Sequence, residues 1–194
     1  MTCVVGIVRK DGVYLGADSG AFNEDDLTYN VRKDEKIFKR GEMIIGFCSS
    51  FRMGQLLRYR LEIPKHPRGV EDLEFMSTLF IDAVKTCFEQ NDYDDFKEED
   101  CNFMVGYRGS LYVIMQDFQV AVHDEGYAAI GSGEAIAVGA LYATKDENPE
   151  KSLEIALNAA ENHSMAVKKP FKYISLLNEK TIKEQNKKPV RKRK

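Results

Sequence analysis

The sequence predicts an α+β fold in which two antiparallel sheets lie between two layers of helices, a four-layer αββα sandwich. Short β-branched runs separated by turn residues indicate antiparallel strands. Pairs of predicted helices alternate with those strands along the chain. Runs such as Met43–Cys48 are apolar at consecutive positions, which is typical of strands covered on both faces. Periodicity alone gives only a mixed α and β fold, and the layering follows from the element order.

The predicted strands are bounded by glycine and aspartate, which favour turns. The first two form a hairpin, because Asp11-Gly12 between them is a strong turn signal. The strands are predicted over Cys3–Val8, Val13–Ala17, Met43–Cys48, Asn102–Tyr107, Ser110–Met115, Gln119–Asp124, Tyr127–Ile130 and Phe171–Leu177.

Four helices are predicted from apolar spacing and capping residues. Ser49-Ser50 precedes the first helix as a candidate N-cap, and Asn148 followed by Pro149 begins the last. The second has apolar residues at helical spacing from Met76 to Phe88. The first three are predicted over Phe51–Leu61, Glu71–Gln90 and Glu134–Lys145.

Length and composition indicate one domain, over residues 2–178, followed by a basic tail. The 194 residues are 43% hydrophobic, which suits a single sizeable core. Residues 179–194 form this tail, in which the stretch from Lys180 to Lys194 contains eight basic residues and one acid, Glu184, and we expect the tail to be disordered. It lacks aromatic residues that could stack on bases, so nucleic-acid binding is not expected.

The compartment is expected to be the cytoplasm. No run of about 18 apolar residues predicts a membrane span, and the first residues lack the features of a signal peptide. The four cysteines form no Cys-x-x-Cys pair and lie in apolar stretches, where buried reduced thiols are expected.

Several classes of site are excluded by their missing motifs. The three histidines have no zinc-binding spacing, and the serine-hydrolase elbow Gly-x-Ser-x-Gly is absent. Gly131-Ser132-Gly133 lacks the third glycine and the lysine of a phosphate loop. The acidic stretch Asp92–Asp100 lacks the glycine and ligand spacing of a calcium loop. We therefore expect neither a cofactor nor a metal ion.

The N-terminus offers a different chemistry. Removal of Met1 would leave Thr2 with a free α-amine and a hydroxyl on one residue. Because the reference pKa of an α-amine is about 7.7–8.0, part of it is neutral near neutral pH and can accept the hydroxyl proton. Many inert proteins also begin Met-Thr, so Thr2 alone is a weak signal.

Three further motifs strengthen that hypothesis. Gly16-Ala17-Asp18 places Asp18 sixteen residues after Thr2, Lys36 lies within Asp34–Phe38, and Gly131-Ser132-Gly133 joins a strand to a helix. With these motifs the sequence resembles proteasome β-subunits and bacterial HslV peptidases over nearly all of residues 2–177. Lys36 lies two residues later than in that family, which indicates an insertion in the Asn23–Thr28 loop. Lys33 is the competing candidate.

The resemblance implies the N-terminal-nucleophile hydrolase fold and a role for each site residue. Thr2 would attack the substrate carbonyl, Lys36 would place a positive charge beside the hydroxyl, Asp18 would orient Lys36, and Ser132 would hydrogen-bond near the amine. Ordinary structural roles compete with these: a surface lysine, a turn-forming aspartate and an N-capping serine.

Two positions depart from the family pattern. The oxyanion-hole amide usually comes from a glycine pair, whereas this chain has Ser49-Ser50, whose side chains restrict the turn. Ser164 stands where proteasome subunits carry an aspartate that HslV-like members also lack. Cys48 either shapes a small first-subsite pocket or packs in the core.

The predicted function is therefore a threonine endopeptidase of the HslV or proteasome type that cleaves peptides or unfolded proteins. By resemblance it would assemble as a homo-oligomeric ring and could partner an ATP-dependent unfoldase. The alternatives are a catalytically inactive ring or scaffold with the same fold, and a small-molecule amidase.

Overall fold

Two antiparallel sheets stack face to face and form the centre of the molecule. The computed structural model describes residues 2–23, 28–94, 101–178 and 181. One sheet has four strands in the order β10-β1-β2-β11, and the other has five in the order β5-β6-β7-β8-β9. Their bounds are β1 Val4–Arg9, β2 Gly12–Ala17, β5 Ile37–Arg40, β6 Met43–Phe47, β7 Phe103–Tyr107, β8 Ser110–Ile114, β9 Val120–Val122, β10 Tyr127–Ile130 and β11 Lys172–Leu177.

The helices cover the outer faces of the two sheets. Beside the five-stranded sheet lie α1 (Phe51–Tyr59), α2 (Asp72–Phe75) and α3 (Ile81–Glu89), with one π-helical segment, Met76–Phe80, between the last two. Beside the four-stranded sheet lie α4 (Glu134–Ala143) and α5 (Pro149–His163). As the serine and asparagine signals predicted, Ser50 caps α1 and Asn148 caps α5 with their side chains.

The two sheets and the two helical layers are separated by three layers of buried side chains. Met53, Phe80 and Phe103 pack between the first helical layer and the five-stranded sheet. Val4, Leu15 and Ile44 pack between the two sheets. Cys3, Val5 and Leu157 pack between the four-stranded sheet and α4 with α5. The predicted αββα sandwich is confirmed, because both sheets are covered on both faces.

The hairpin at the N-terminus differs in detail from its prediction. Arg9 pairs with Gly12, so Lys10 and Asp11 form the connection and Gly12 belongs to β2. A Cβ on Gly12 would lie 2.4 Å from the carbonyl oxygen of Leu176 in β11. The glycine is therefore needed for the close approach of two strands.

Two further strands, β3 (Gly20–Asn23) and β4 (Thr28–Val31), form a separate antiparallel pair that the sequence did not predict. All four residues of β4 are exposed, so the strand lacks the apolar alternation that identifies half-buried strands. The Asn23–Thr28 loop, in which an insertion was predicted, connects them, and its residues 24–27 lie outside the described part of the chain.

Other sequence expectations fall wholly or partly outside the described residues. The basic tail lies outside the described part of the chain, except for Thr181. Residues 95–100 of the acidic stretch also lie outside it. Within the described ranges, no helix is long and apolar enough to cross a membrane.

Candidate functional site

Thr2 lies two residues before β1 and contacts the Gly131–Gly133 turn, which connects β10 with α4. Its backbone N–H donates to Ser132 Oγ at 3.2 Å, and the Ser132 hydroxyl donates to the Thr2 carbonyl at 3.2 Å. The backbone N–H of Gly133 donates to the same carbonyl at 3.3 Å. Thr2 itself is only 2% exposed. The turn therefore holds the threonine backbone from two sides.

Gly131 makes this contact geometrically feasible. Its φ is +93°, a conformation that residues with a Cβ rarely adopt. A Cβ at this position would lie 2.4 Å from the Thr2 carbonyl oxygen. Both constraints require glycine, so Gly131 shapes the candidate site although it has no side chain.

Asp18 follows β2 and faces the residue after Thr2. Because β1 and β2 are antiparallel neighbours, the end of β2 lies beside the start of β1. The Asp18 N–H donates to the Cys3 carbonyl at 3.2 Å, and Asp18 Oδ1 accepts from the Cys3 N–H at 3.0 Å. The carboxylate thus binds the backbone of Cys3, the residue next to Thr2, directly.

The second oxygen of Asp18 binds two more backbone groups. Asp18 Oδ2 accepts from the Gly20 N–H at 2.9 Å and from the Lys168 N–H at 3.2 Å. Lys168 lies in the loop between α5 and β11, far away in sequence. Sequence reasoning missed this contact, since a backbone N–H gives no residue-type signal.

Lys36 immediately precedes β5 and reaches the same carboxylate. Its Nζ donates to Asp18 Oδ1 at 2.7 Å, and its side chain is buried. Burial lowers the pKa of Lys36 below its ordinary value of 10.5, while the Asp18 carboxylate opposes that shift. The competing candidate, Lys33, is exposed. The structure thus brings Lys36, and not Lys33, to Asp18.

The two cysteines near the site are buried thiols. Burial, with the nearby Asp18 charge as a second cause, raises the pKa of Cys3 to about 12. Cys48 is 1% exposed, belongs to the core between the sheets, and its Sγ donates to the Asn102 carbonyl at 3.3 Å. Burial also raises its pKa. The structure places Cys48 in the core.

Ser49 and Ser50 form a tight turn between β6 and α1. Ser49 has a φ of 64°, and the Ser50 N–H donates to the Cys48 carbonyl at 2.9 Å. Ser50 Oγ accepts from the Met53 N–H at 3.2 Å as the cap of α1. Ser164, the other departure noted in the sequence, ends α5.

A cavity of about 410 Å³ lies beside the Thr2 turn. Its lining includes Ile130, which directly precedes Gly131, and Asn102, whose carbonyl binds Cys48. Apolar residues make up just over half of its lining, and the polar groups belong to Asn102, Gln119, His123, Glu125, Tyr127 and Glu134. The cavity has the mixed polarity of ligand pockets. No group of three or more histidine, cysteine or acidic residues that could hold a metal ion occurs in the described ranges.

Comparison with solved structures shows a shared fold. BPH of Thiobacillus denitrificans in complex with epoxomicin superposes with a TM-score of 0.74 and 17% identity, over 90% of this chain and 98% of that one. The eukaryotic HslV of Trypanosoma brucei gives 0.66 and 17%, over 91% and 99%. Anbu of Pseudomonas aeruginosa, in its helical assembly, gives 0.65 and 18%, over 92% and 82%. No protein-family model and no curated protein matches the sequence. The chain has the N-terminal-nucleophile hydrolase fold of these proteasome-type subunits.

Proposed function

We propose that this chain is an N-terminal threonine hydrolase that cleaves peptide bonds, with Thr2 as the nucleophile once Met1 is removed. The observation that carries the proposal is the shared Asp18 Oδ1, which accepts from both Lys36 Nζ and the Cys3 N–H. This single oxygen couples a buried cation to the backbone next to Thr2. A cation held there can favour the deprotonated hydroxyl of a threonine that has no histidine base.

Each step of the reaction has a candidate group. The neutral α-amine of Thr2 takes the proton of its own hydroxyl, and Oγ forms a bond to the substrate carbonyl carbon. The carbonyl electron pair moves to oxygen, and the Ser50 N–H is the candidate donor to that oxyanion. The ammonium then gives this proton to the leaving nitrogen as the carbonyl re-forms and the C–N bond breaks, and water hydrolyses the resulting Thr2 ester.

Lys36, Asp18 and Ser132 support this chemistry. The ammonium of Lys36 favours the deprotonated hydroxyl by its charge, and Asp18 fixes the position of Lys36. Ser132 Oγ lies 3.2 Å from the Thr2 nitrogen, where it can orient the freed amine. The cavity of about 410 Å³ beside the turn has room for substrate side chains.

We propose further that the protein acts as a homo-oligomer. Anbu of Pseudomonas aeruginosa forms a helical assembly, and the resemblance to HslV favours a ring. An ATP-dependent unfoldase would supply unfolded protein to such a chamber. Four buried cysteines without disulfides fit a reducing cytoplasm.

A catalytically inactive scaffold with this fold is the second candidate. One observation favours it: the Ser50 N–H already donates to the Cys48 carbonyl. A small-molecule amidase would share the nucleophile but would hydrolyse N-acyl substrates and ignore peptides.

Hydrolysis by Thr2 variants distinguishes these candidates. Protein with a free N-terminal threonine is assayed on fluorogenic peptides and on N-acyl amides, beside Thr2→Ser and Thr2→Ala. We expect peptide cleavage by wild type and by Thr2→Ser, and a loss of at least about 100-fold in Thr2→Ala. Equal cleavage by Thr2→Ala would remove the nucleophile assignment, and no cleavage by any form would favour the scaffold.

A further inference from the structure

The backbone at the end of β6 adopts a conformation that its residue type disfavours. Ser49 has a φ of 64°, in the left-handed region where a Cβ approaches the following carbonyl. Residues held in such conformations persist when the surroundings over-determine them, and they cluster at functional sites. Ser49 is the residue at which β6 passes into the cap of α1.

The turn around Ser49 is closed by one hydrogen bond. The Ser50 N–H donates to the Cys48 carbonyl at 2.9 Å, which makes a three-residue γ-turn centred on Ser49. A γ-turn with a left-handed central residue is rare and strained.

Both ends of this turn are anchored to regular structure. The Cys48 N–H donates to the Asn102 carbonyl at 3.1 Å, beside β7. On the other side, Ser50 accepts from Met53 through its side chain and from Gly54 through its carbonyl. Because the residues on both sides are fixed, opening of the turn would have to occur by rotation of the φ and ψ angles of Ser49.

We propose that Ser49 is a positioning residue: its left-handed turn keeps the Ser50 N–H on the Cys48 carbonyl in the resting protein, and turnover requires the turn to open. This inference rests on the proposed function, in which that N–H stabilises the oxyanion. An oxyanion is a stronger acceptor than a neutral carbonyl, and opening relieves the left-handed strain. Both effects offset the loss of the resting hydrogen bond.

Substitutions at Ser49 test the direction of this control. Glycine tolerates the left-handed conformation and keeps the turn closed, so Ser49→Gly lowers kcat by about fivefold to tenfold. Valine disfavours it and opens the turn, so Ser49→Val raises kcat by about twofold or more. Gly139→Ala, which adds a Cβ in α4 with no atom within 4 Å, serves as the control, with kcat within about twofold of wild type. The reverse order of the glycine and valine variants would show a preformed oxyanion donor and overturn the proposal.

A spectroscopic test on the wild-type protein does not depend on how the variants fold. Deuterated, ¹⁵N-serine-labelled protein with a free Thr2 amine is titrated with a peptide boronate, whose tetrahedral adduct carries an oxygen at the oxyanion position. We expect the Ser50 amide proton to be protected from exchange in the free protein and to shift downfield in the adduct.

The outcomes separate this inference from the proposed function. An adduct that leaves the Ser50 amide unchanged would overturn the role of the turn while the nucleophile assignment stands. An amide that exchanges freely before the boronate is added would also overturn it. Failure of the boronate to bind Thr2 at all would remove the proposed function, and the inference with it.

Discussion

Lys36 Nζ lies 2.7 Å from Asp18 Oδ1, and the two side chains are 1% and 0% exposed. A buried ion pair is costly to form and gives little net stability, but breaking it by removing one partner is strongly destabilising. The same carboxylate also binds three backbone N–H groups, those of Cys3, Gly20 and Lys168. The pair therefore ties the start of β1 to the loop that precedes β11.

Asp18→Asn is expected to cost about 3–5 kcal/mol of unfolding free energy, because the Lys36 ammonium loses its counter-charge while it stays buried. The double variant Asp18→Asn, Lys36→Met removes the stranded charge and should recover at least half of that loss. Hydrolysis should be lost in both. Denaturant unfolding measures the stabilities, and a single-variant cost below about 1 kcal/mol would show that the pair is not isolated from water.

The rate of peptide hydrolysis should depend on pH with two limbs. It should rise as the Thr2 α-amine becomes neutral, near the reference pKa of about 7.7–8.0. It should fall again as Lys36 loses its proton, and this limb should lie below pH 10.5, because burial lowers the pKa of Lys36. Steady-state rates across this range check both limbs. A rate that keeps rising beyond pH 10.5 would mean that the Lys36 charge plays no part.

Gly131→Ala should reduce hydrolysis by at least about tenfold, since the new Cβ would displace the Thr2 carbonyl it meets at 2.4 Å. Gly139→Ala is the matched control, because it lies in α4 with no atom within 4 Å of the added Cβ. That variant should keep its activity and gain about 0.5–1 kcal/mol of stability. Equal hydrolytic activity of the two variants would show that Gly131 is not needed to position Thr2.

The thiols should be inert in the folded protein. All four cysteines are free and buried, and the pKa of Cys3 is raised to about 12, so the reactive thiolate is scarce near neutral pH. A chromogenic disulfide reagent at about pH 8 should titrate no thiol in the native protein and all four after denaturation. Rapid reaction of one thiol in the native state would contradict the burial of these residues.

The sequence motifs named side chains that the structure brings together, while the catalytic roles of these residues stay predictions. Thr2, Asp18, Lys36 and Ser132 were each named from spacing and resemblance, and contacts of Asp18 and Ser132 connect Lys36 and Thr2 to one constellation. The sandwich was also predicted, because buried strands appear in the sequence as apolar runs and the order of strands and paired helices indicates the layers.

The backbone part of the site was not predicted. The Lys168 N–H on Asp18 and the Ser50 N–H on Cys48 depend on loop conformations, which no residue type reveals. The exposed strand β4 was missed because it lacks apolar alternation. The π-helical segment at Met76–Phe80 keeps enough of the helical period to look like an ordinary helix in the sequence.

The most direct test of the nucleophile is covalent labelling of protein whose N-terminal residue is Thr2. A tripeptide vinyl sulfone is added, the protein is digested, and the modified residue is located by mass spectrometry. We predict one label per chain on Thr2, none on Thr2→Ala, and strongly reduced labelling of Asp18→Asn. A label on another residue, or an unlabelled protein with an intact fold and a free Thr2 amine, would contradict the account.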